Sequence, residues 1–142
     1  MLSEANLRDD LSQLLETADA NRWIIEQPTG LELWVTVHPQ SNPDETFQAR
    51  LLWSEYPGRP PSLKFRDPAS GRLDLVQAWP LAPGFRPTSF DACVNWVEEG
   101  FIAHPEWRND PHNRWDGRGN ALLRVISQIQ ELLDWHYGGR AP

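Results

Sequence analysis

Apolar side chains recur every three or four residues near both ends of the chain. The N-terminal stripe predicts an amphipathic helix over residues 3–20. It consists of Leu7, Leu11, Leu14, Leu15 and Ala18. A stronger stripe of leucine, isoleucine and valine predicts a second helix from about Asn120 to Trp135, near the C-terminus.

Between these two helices the apolar residues alternate with polar ones. Residues 31–37 and residues 46–53 each show a period of two, which predicts half-buried antiparallel strands. Shorter strands are predicted at 23–26 and 62–65. The sequence therefore predicts an α+β fold, in which an antiparallel meander of about four strands has one apolar face and the N-terminal helix covers that face.

The stretch from residue 66 to residue 92 has no clear periodicity and is rich in proline, glycine and aspartate. We expect a long loop here, and irregular stretches of this length in a small domain usually serve function. A short helix is predicted within residues 93–103. The length of 142 residues suits a single domain, and we expect it to cover residues 1–142.

Charge and hydropathy narrow the classes of partner. The net charge of −7 argues against nucleic acid as the main partner, because phosphate binding needs a basic face. No apolar run approaches the ~20 residues that span a bilayer. The acidic N-terminus does not resemble a signal peptide. We therefore expect a cytoplasmic protein without a membrane or nucleic-acid partner.

Cys93 is the only cysteine of the chain. A single cysteine excludes an intramolecular disulfide and a multi-cysteine zinc site. The spacing of Cys93, His104 and His112 is not that of a compact zinc site, so we expect neither a metal nor a cofactor. Composition alone leaves open whether Cys93 is a small buried side chain or a reactive thiol.

Two motifs carry a resemblance to a known family. The first is Tyr56-Pro57-x-x-Pro60-Pro61-x-Leu63-x-Phe65, which follows the third predicted strand and opens the fourth. The second is Trp115 followed by the leucine- and isoleucine-rich helix of residues 122–133. Together with the order of the predicted elements, these motifs resemble the ubiquitin-conjugating enzyme (UBC-like) fold over nearly the whole chain.

The resemblance implies a function for Cys93, because the family has its catalytic cysteine between these two landmarks. It implies a transferase that accepts a ubiquitin-like protein from an activating enzyme as a thioester on Cys93 and passes it to a target protein. The family's His-Pro-Asn tripeptide before the cysteine is absent, so the chain resembles a divergent bacterial branch of the fold. That branch implies protein modification in antiviral defence.

Two further residues are candidates for the same site. Asn95 is either a donor to the oxyanion that forms on the substrate carbonyl or the cap of a turn. His104 either stabilises the thiolate and moves a proton, or is a structural hydrogen-bonding group. Two other functions stay open: a non-catalytic adaptor of the same fold, and an unrelated α+β binding protein with a deep apolar pocket in its middle loop.

Overall fold

Helix α1 begins the part of the chain that the computed structural model describes, which is residues 2–142. It spans Leu2–Leu15, and its buried leucines line one face. The predicted helix over residues 3–20 is too long, because the chain turns into a 3-10 helix at Ala18–Arg22. The Thr17 hydroxyl donates a hydrogen bond to the Leu14 carbonyl oxygen at 2.7 Å, which satisfies one of the free carbonyls at the end of α1.

The predicted antiparallel meander is confirmed as a four-stranded sheet. Its strands are β1 (Ile24–Ile25), β2 (Glu32–Val37), β3 (Phe47–Leu52) and β4 (Ser62–Arg66). Each strand pairs with the next one along the chain, so the order is β1-β2-β3-β4. In the register, Val35 lies opposite Ala49, and Ala49 lies opposite Phe65. These three residues are buried, so they form a row on the inner face of the sheet.

Helix α3 (Ala121–Trp135) confirms the second predicted helix. The Asn120 side chain caps it by accepting a hydrogen bond from the Leu123 backbone N–H at 2.9 Å. Helices α1 and α3 contact each other. The buried residues of both helices and the inner face of the sheet belong to one apolar cluster.

Buried polar contacts fix the two helices to the rest of the fold. The Gln130 side chain of α3 accepts a hydrogen bond from the Trp23 indole N–H at 2.9 Å and donates one to the His38 carbonyl oxygen at 2.7 Å. The Tyr56 hydroxyl donates to a carboxylate oxygen of Asp10 on α1 and accepts from the Leu122 backbone N–H of α3 at 3.0 Å. Such buried groups need partners, and here the partners join separate elements.

The irregular stretch expected over residues 66–92 contains a small two-stranded sheet that the sequence did not predict. Strand β5 (Phe85–Arg86) pairs antiparallel with β6 (Asp91–Ala92). The short helix expected within residues 93–103 is α2, and it spans only Glu98–Ala103. Within residues 2–142, no helix combines the length and apolar character that crossing a membrane requires.

Candidate functional site

The β5–β6 hairpin positions Cys93, which follows β6 directly. Phe85 of β5 lies opposite Ala92 of β6. Its ring packs in the core against Phe65 and Trp79, with centroid distances of 5.8 and 5.9 Å. The Cys93 backbone N–H donates to the Gly84 carbonyl oxygen at 2.7 Å, which extends the pairing past the end of β6. The hairpin therefore anchors the backbone at Cys93 to the apolar core.

Two glycines lie close to the chain on either side of Val94. A Cβ atom on Gly84 would lie 2.6 Å from Val94 Cγ1, and one on Gly100 would lie 1.9 Å from the Val94 carbonyl oxygen. Both distances are shorter than real Cβ contacts allow. Glycine at these positions lets helix α2 and the start of β5 approach the backbone that follows Cys93.

Cys93 is a free cysteine, and the residue is partly exposed to solvent. Strand β5 provides a positively charged neighbour. The Arg86 guanidinium forms two hydrogen bonds with the Asp91 carboxylate, both 2.8 Å long. The pKa of Arg86 is raised, first by the hydrogen bond to Asp91 and, as a smaller cause, by the negative charge of a Cys93 thiolate. Because Arg86 pairs with Asp91 and the Cys93 backbone bonds to Gly84, Arg86 and Cys93 lie diagonally across the hairpin on one face.

Arg86 and Asp91 were not among the residues that the sequence suggested. They face each other across the hairpin as a register pair. The only sequence signal for that pairing is the turn-forming run Pro87-Thr88-Ser89 between them. Recognising this turn would have put Arg86 beside the strand that leads to Cys93.

Asn95 lies two residues after Cys93 in the bend that leads to α2, and it is partly exposed. Within residues 2–142, its side chain makes no hydrogen bond at the usual distances, and neither does the Cys93 thiol. The carboxamide is therefore not used as the cap of a turn, which was the structural alternative for this residue. Its N–H groups are therefore free of partners within the described residues.

His104 has structural partners in its own loop. Its ring stacks on Trp107 with a centroid distance of 4.3 Å, and its Nδ1 lies 3.0 Å from Glu106 Oε1. The pKa of Glu106 is lowered, first by a hydrogen bond from its own backbone N–H and then by the bond to His104. No hydrogen bond joins His104 to Cys93 in the described part of the chain. The structure thus keeps Cys93 and Asn95 on one short segment and directs His104 towards Glu106 and Trp107.

No group of three or more histidine, cysteine, aspartate or glutamate side chains within residues 2–142 is arranged to hold a metal ion. The chemistry that the candidate site offers is that of one thiol, a nearby guanidinium and a free carboxamide. Comparison of the chain with protein-family models, with curated proteins and with solved structures found no match.

Proposed function

We propose that the chain is a UBC-like conjugating enzyme that carries a ubiquitin-like protein as a thioester on Cys93. The main support is the partial exposure of Cys93 at the end of a hairpin that is anchored in the core. A buried structural thiol would be enclosed by apolar side chains, and an acyl group could not reach it. The order of helix, four-stranded sheet, cysteine-bearing segment and helix also supports the proposal.

The proposed chemistry is two acyl transfers. In the first, the Cys93 thiolate attacks the thioester carbonyl carbon of the charged activating enzyme, the new C–S bond forms, and the activating enzyme's cysteine leaves as a thiolate. In the second, an amine of the target attacks the Cys93 thioester, the Cys93 thiolate leaves and the amine loses a proton. We place this reaction in the cytoplasm, where thiols stay reduced.

The neighbouring side chains have separate proposed roles. Arg86 favours the thiolate, because a nearby positive charge stabilises the anion. Asn95 donates a hydrogen bond to the oxyanion of the tetrahedral intermediate. His104 takes the proton from the attacking amine.

The test is a charging assay with the activating enzyme, the ubiquitin-like partner and ATP, analysed on a non-reducing gel. The wild-type chain should form an adduct that a reducing agent removes. Cys93→Ser should form an adduct that resists the reducing agent, because an oxygen ester replaces the thioester, and Cys93→Ala should form none. If the wild-type chain stays uncharged while the activating enzyme charges itself, the proposal is wrong.

A specific observation favours a second candidate, which is a non-catalytic adaptor of the same fold. Within residues 2–142, no side chain is hydrogen-bonded to the Cys93 thiol, so no base is prearranged there to take its proton. If the chain is an adaptor, the wild type and Cys93→Ala should bind the ubiquitin-like protein or the activating enzyme with the same affinity. A pull-down with both variants, run beside the charging assay, separates the two functions.

A further inference from the structure

A cleft of about 310 Å³ opens between the proline-rich turn that precedes β4, helix α2 and the loop that precedes α3. Three arginines line it, one from the proline-rich turn and two from the stretch between α2 and α3, together with two aromatic rings and one carboxylate. These side chains are Arg59, Arg108, Arg114, Phe101, Trp115 and Glu98. None of the candidate catalytic residues belongs to the lining, so the cleft is a separate feature of the surface.

The cleft arginines differ from most other arginines of the chain in their partners. Six other arginines lie 2.7–3.5 Å from carboxylate oxygens. Within residues 2–142, Arg108 and Arg114 form no ion pair and donate no side-chain hydrogen bond. Arg59 reaches only Glu55, at 4.0 Å. In a chain with a net charge of −7, three arginines with so few internal partners create a local positive site.

The aromatic residues give the cleft a rigid apolar wall. The Trp115 indole N–H donates to the Pro57 carbonyl oxygen at 2.8 Å, which fixes the ring against the proline-rich turn. Phe101 is buried, and its ring meets Trp107 edge to face at a centroid distance of 6.0 Å. Because these rings are held by the fold, an apolar side chain that entered the cleft would meet a preformed surface.

We propose that this cleft binds an acidic peptide segment of a partner protein. Carboxylates of the segment pair with Arg108 and Arg114, whose planar guanidinium groups suit carboxylate oxygens, and an apolar side chain of the segment packs on Trp115. Glu98 makes a phosphate group a poorer occupant, because its carboxylate would repel a doubly charged anion more strongly than a singly charged one. Binding does not depend on an acyl group on Cys93, so the inference goes beyond the proposed function.

The test is fluorescence anisotropy with a fluorescein-labelled peptide of four glutamates around one phenylalanine. The full chain should bind it saturably, and the double variant Arg108→Gln/Arg114→Gln should bind about tenfold more weakly. The matched control is Arg72→Gln, because Arg72 is exposed and follows the end of β4 opposite to the proline-rich turn. Arg72→Gln and Cys93→Ser should bind as tightly as wild type, and Glu98→Gln should bind more tightly.

A second readout locates the peptide. In a nitrogen–proton NMR spectrum, the indole signal of Trp115, assigned with Trp115→Phe, should shift during the titration. The signal of Trp135, which is 72% exposed on α3, should not shift. Three results would overturn the proposal: no saturable binding, an equal loss of affinity in Arg72→Gln, or displacement of the peptide by inorganic phosphate at equal concentration. The last of these would indicate a site for small anions.

Discussion

Two regions of the molecule are built in different ways. The body comprises α1, β1–β4 and α3, and apart from the two-residue β1 its elements have apolar residues that repeat with the period of a helix or a strand. The middle segment, residues 67–120, contains two strands of two residues each, one helix of six residues and short 3-10 helices. The body contributes most of the buried residues, whereas the middle segment contains Cys93 and most of the arginine cleft.

Aromatic packing in the core and polar contacts along β4 hold the middle segment against the body. The Glu99 carboxylate accepts hydrogen bonds from the Ser62 hydroxyl at 2.7 Å and from the Leu63 backbone N–H at 3.1 Å. The Lys64 ammonium group donates to the Phe90 carbonyl oxygen at 2.6 Å. These contacts cover the free edge of β4, which would otherwise expose unpaired backbone groups. The comparison indicates that the body contributes most of the buried core and that the middle segment contains the candidate site and most of the cleft.

The largest expected effect is at Phe65, where the two regions meet. Its ring lies 6.3 Å from Phe47 in the body and 4.9 Å from Trp79 in the middle segment. Phe65→Ala should lower the free energy of unfolding by about 3–5 kcal/mol, because it leaves a cavity between the regions. Urea denaturation measures the change. The control is Leu52→Ala on the outer face of β3. If both variants lost a similar free energy of unfolding, the special position of Phe65 between the two regions would be contradicted.

The same contrast explains which parts of the fold could be predicted from the sequence. The sheet and α3 have a continuous period, so their positions could be predicted to within a few residues. The end of α1 could not, because Ala18 fits the helical pattern, while Thr17 bonds back to Leu14 and the chain continues as a 3-10 helix. The β5–β6 hairpin was missed because its two-residue strands lie in a stretch rich in proline, glycine and aspartate, whereas the equally short β1 lies in the apolar run Trp23-Ile24-Ile25.

The candidate site was only partly predictable for a related reason. Cys93 could be selected because it is the only cysteine and lies between two motifs. The arginine cleft could not, because Arg59 and Arg114 are far apart in the sequence and only the fold brings them together. Arg86 was missed because its relation to Cys93 depends on the register of an unpredicted hairpin.

A substitution at Gly100 tests how tightly the middle segment is packed around Cys93. In an ordinary helix, alanine in place of glycine stabilises the fold. Here the added Cβ would lie 1.9 Å from the Val94 carbonyl oxygen, so Gly100→Ala should lower the free energy of unfolding by about 1–3 kcal/mol. Thermal unfolding measures the change. The control is Ile102→Ala on the same helix, where the side chain is 64% exposed and the substitution should have almost no effect on stability. If Gly100→Ala raised the free energy of unfolding, the close packing against Val94 would be contradicted.

Tyr56 tests a polar connection inside the body. Tyr56→Phe removes the hydrogen bond to Asp10 and leaves the Leu122 N–H without its acceptor. The free energy of unfolding, measured by urea denaturation at neutral pH, should therefore fall by about 1–2 kcal/mol. The matched control is Tyr137→Phe. The Tyr137 hydroxyl is 3.2 Å from Glu45, and the Tyr137→Phe variant should lose less stability.

The contribution of the Tyr56 hydroxyl to the free energy of unfolding should also depend on pH. Burial, and then the hydrogen bond to Asp10, raise the pKa of Tyr56 above its usual value of 10.0, while the hydrogen bond from the Leu122 backbone N–H opposes this shift. The neutral phenol therefore stabilises the fold fully below pH 10.0 and progressively less above it. The stability difference between wild type and Tyr56→Phe should shrink as the pH rises past that value. A difference that grows would show that this hydroxyl is not buried as a neutral group.

The smallest expected effect is that of Arg86 on the rate at which Cys93 is alkylated. Asp91 already neutralises much of the charge of this guanidinium, so Arg86→Gln should slow alkylation of Cys93 by iodoacetamide only about twofold at fixed pH. Mass spectrometry follows the reaction at a single site, because the chain has one cysteine. Arg72→Gln makes the same change in net charge beside Asp74 and should leave the rate unchanged.

Salt dependence separates a charge effect from a change in structure. If the Arg86 charge stabilises the thiolate through space, the difference in alkylation rate between wild type and Arg86→Gln should shrink as ionic strength rises. A difference that persists at high salt would mean that the substitution alters the hairpin and the exposure of Cys93. The free energy of unfolding should stay within about 0.5 kcal/mol of wild type, because the Arg86 side chain is 43% exposed and surface pairs contribute little. A reactivity change without a stability change is what the division between the body and the middle segment requires.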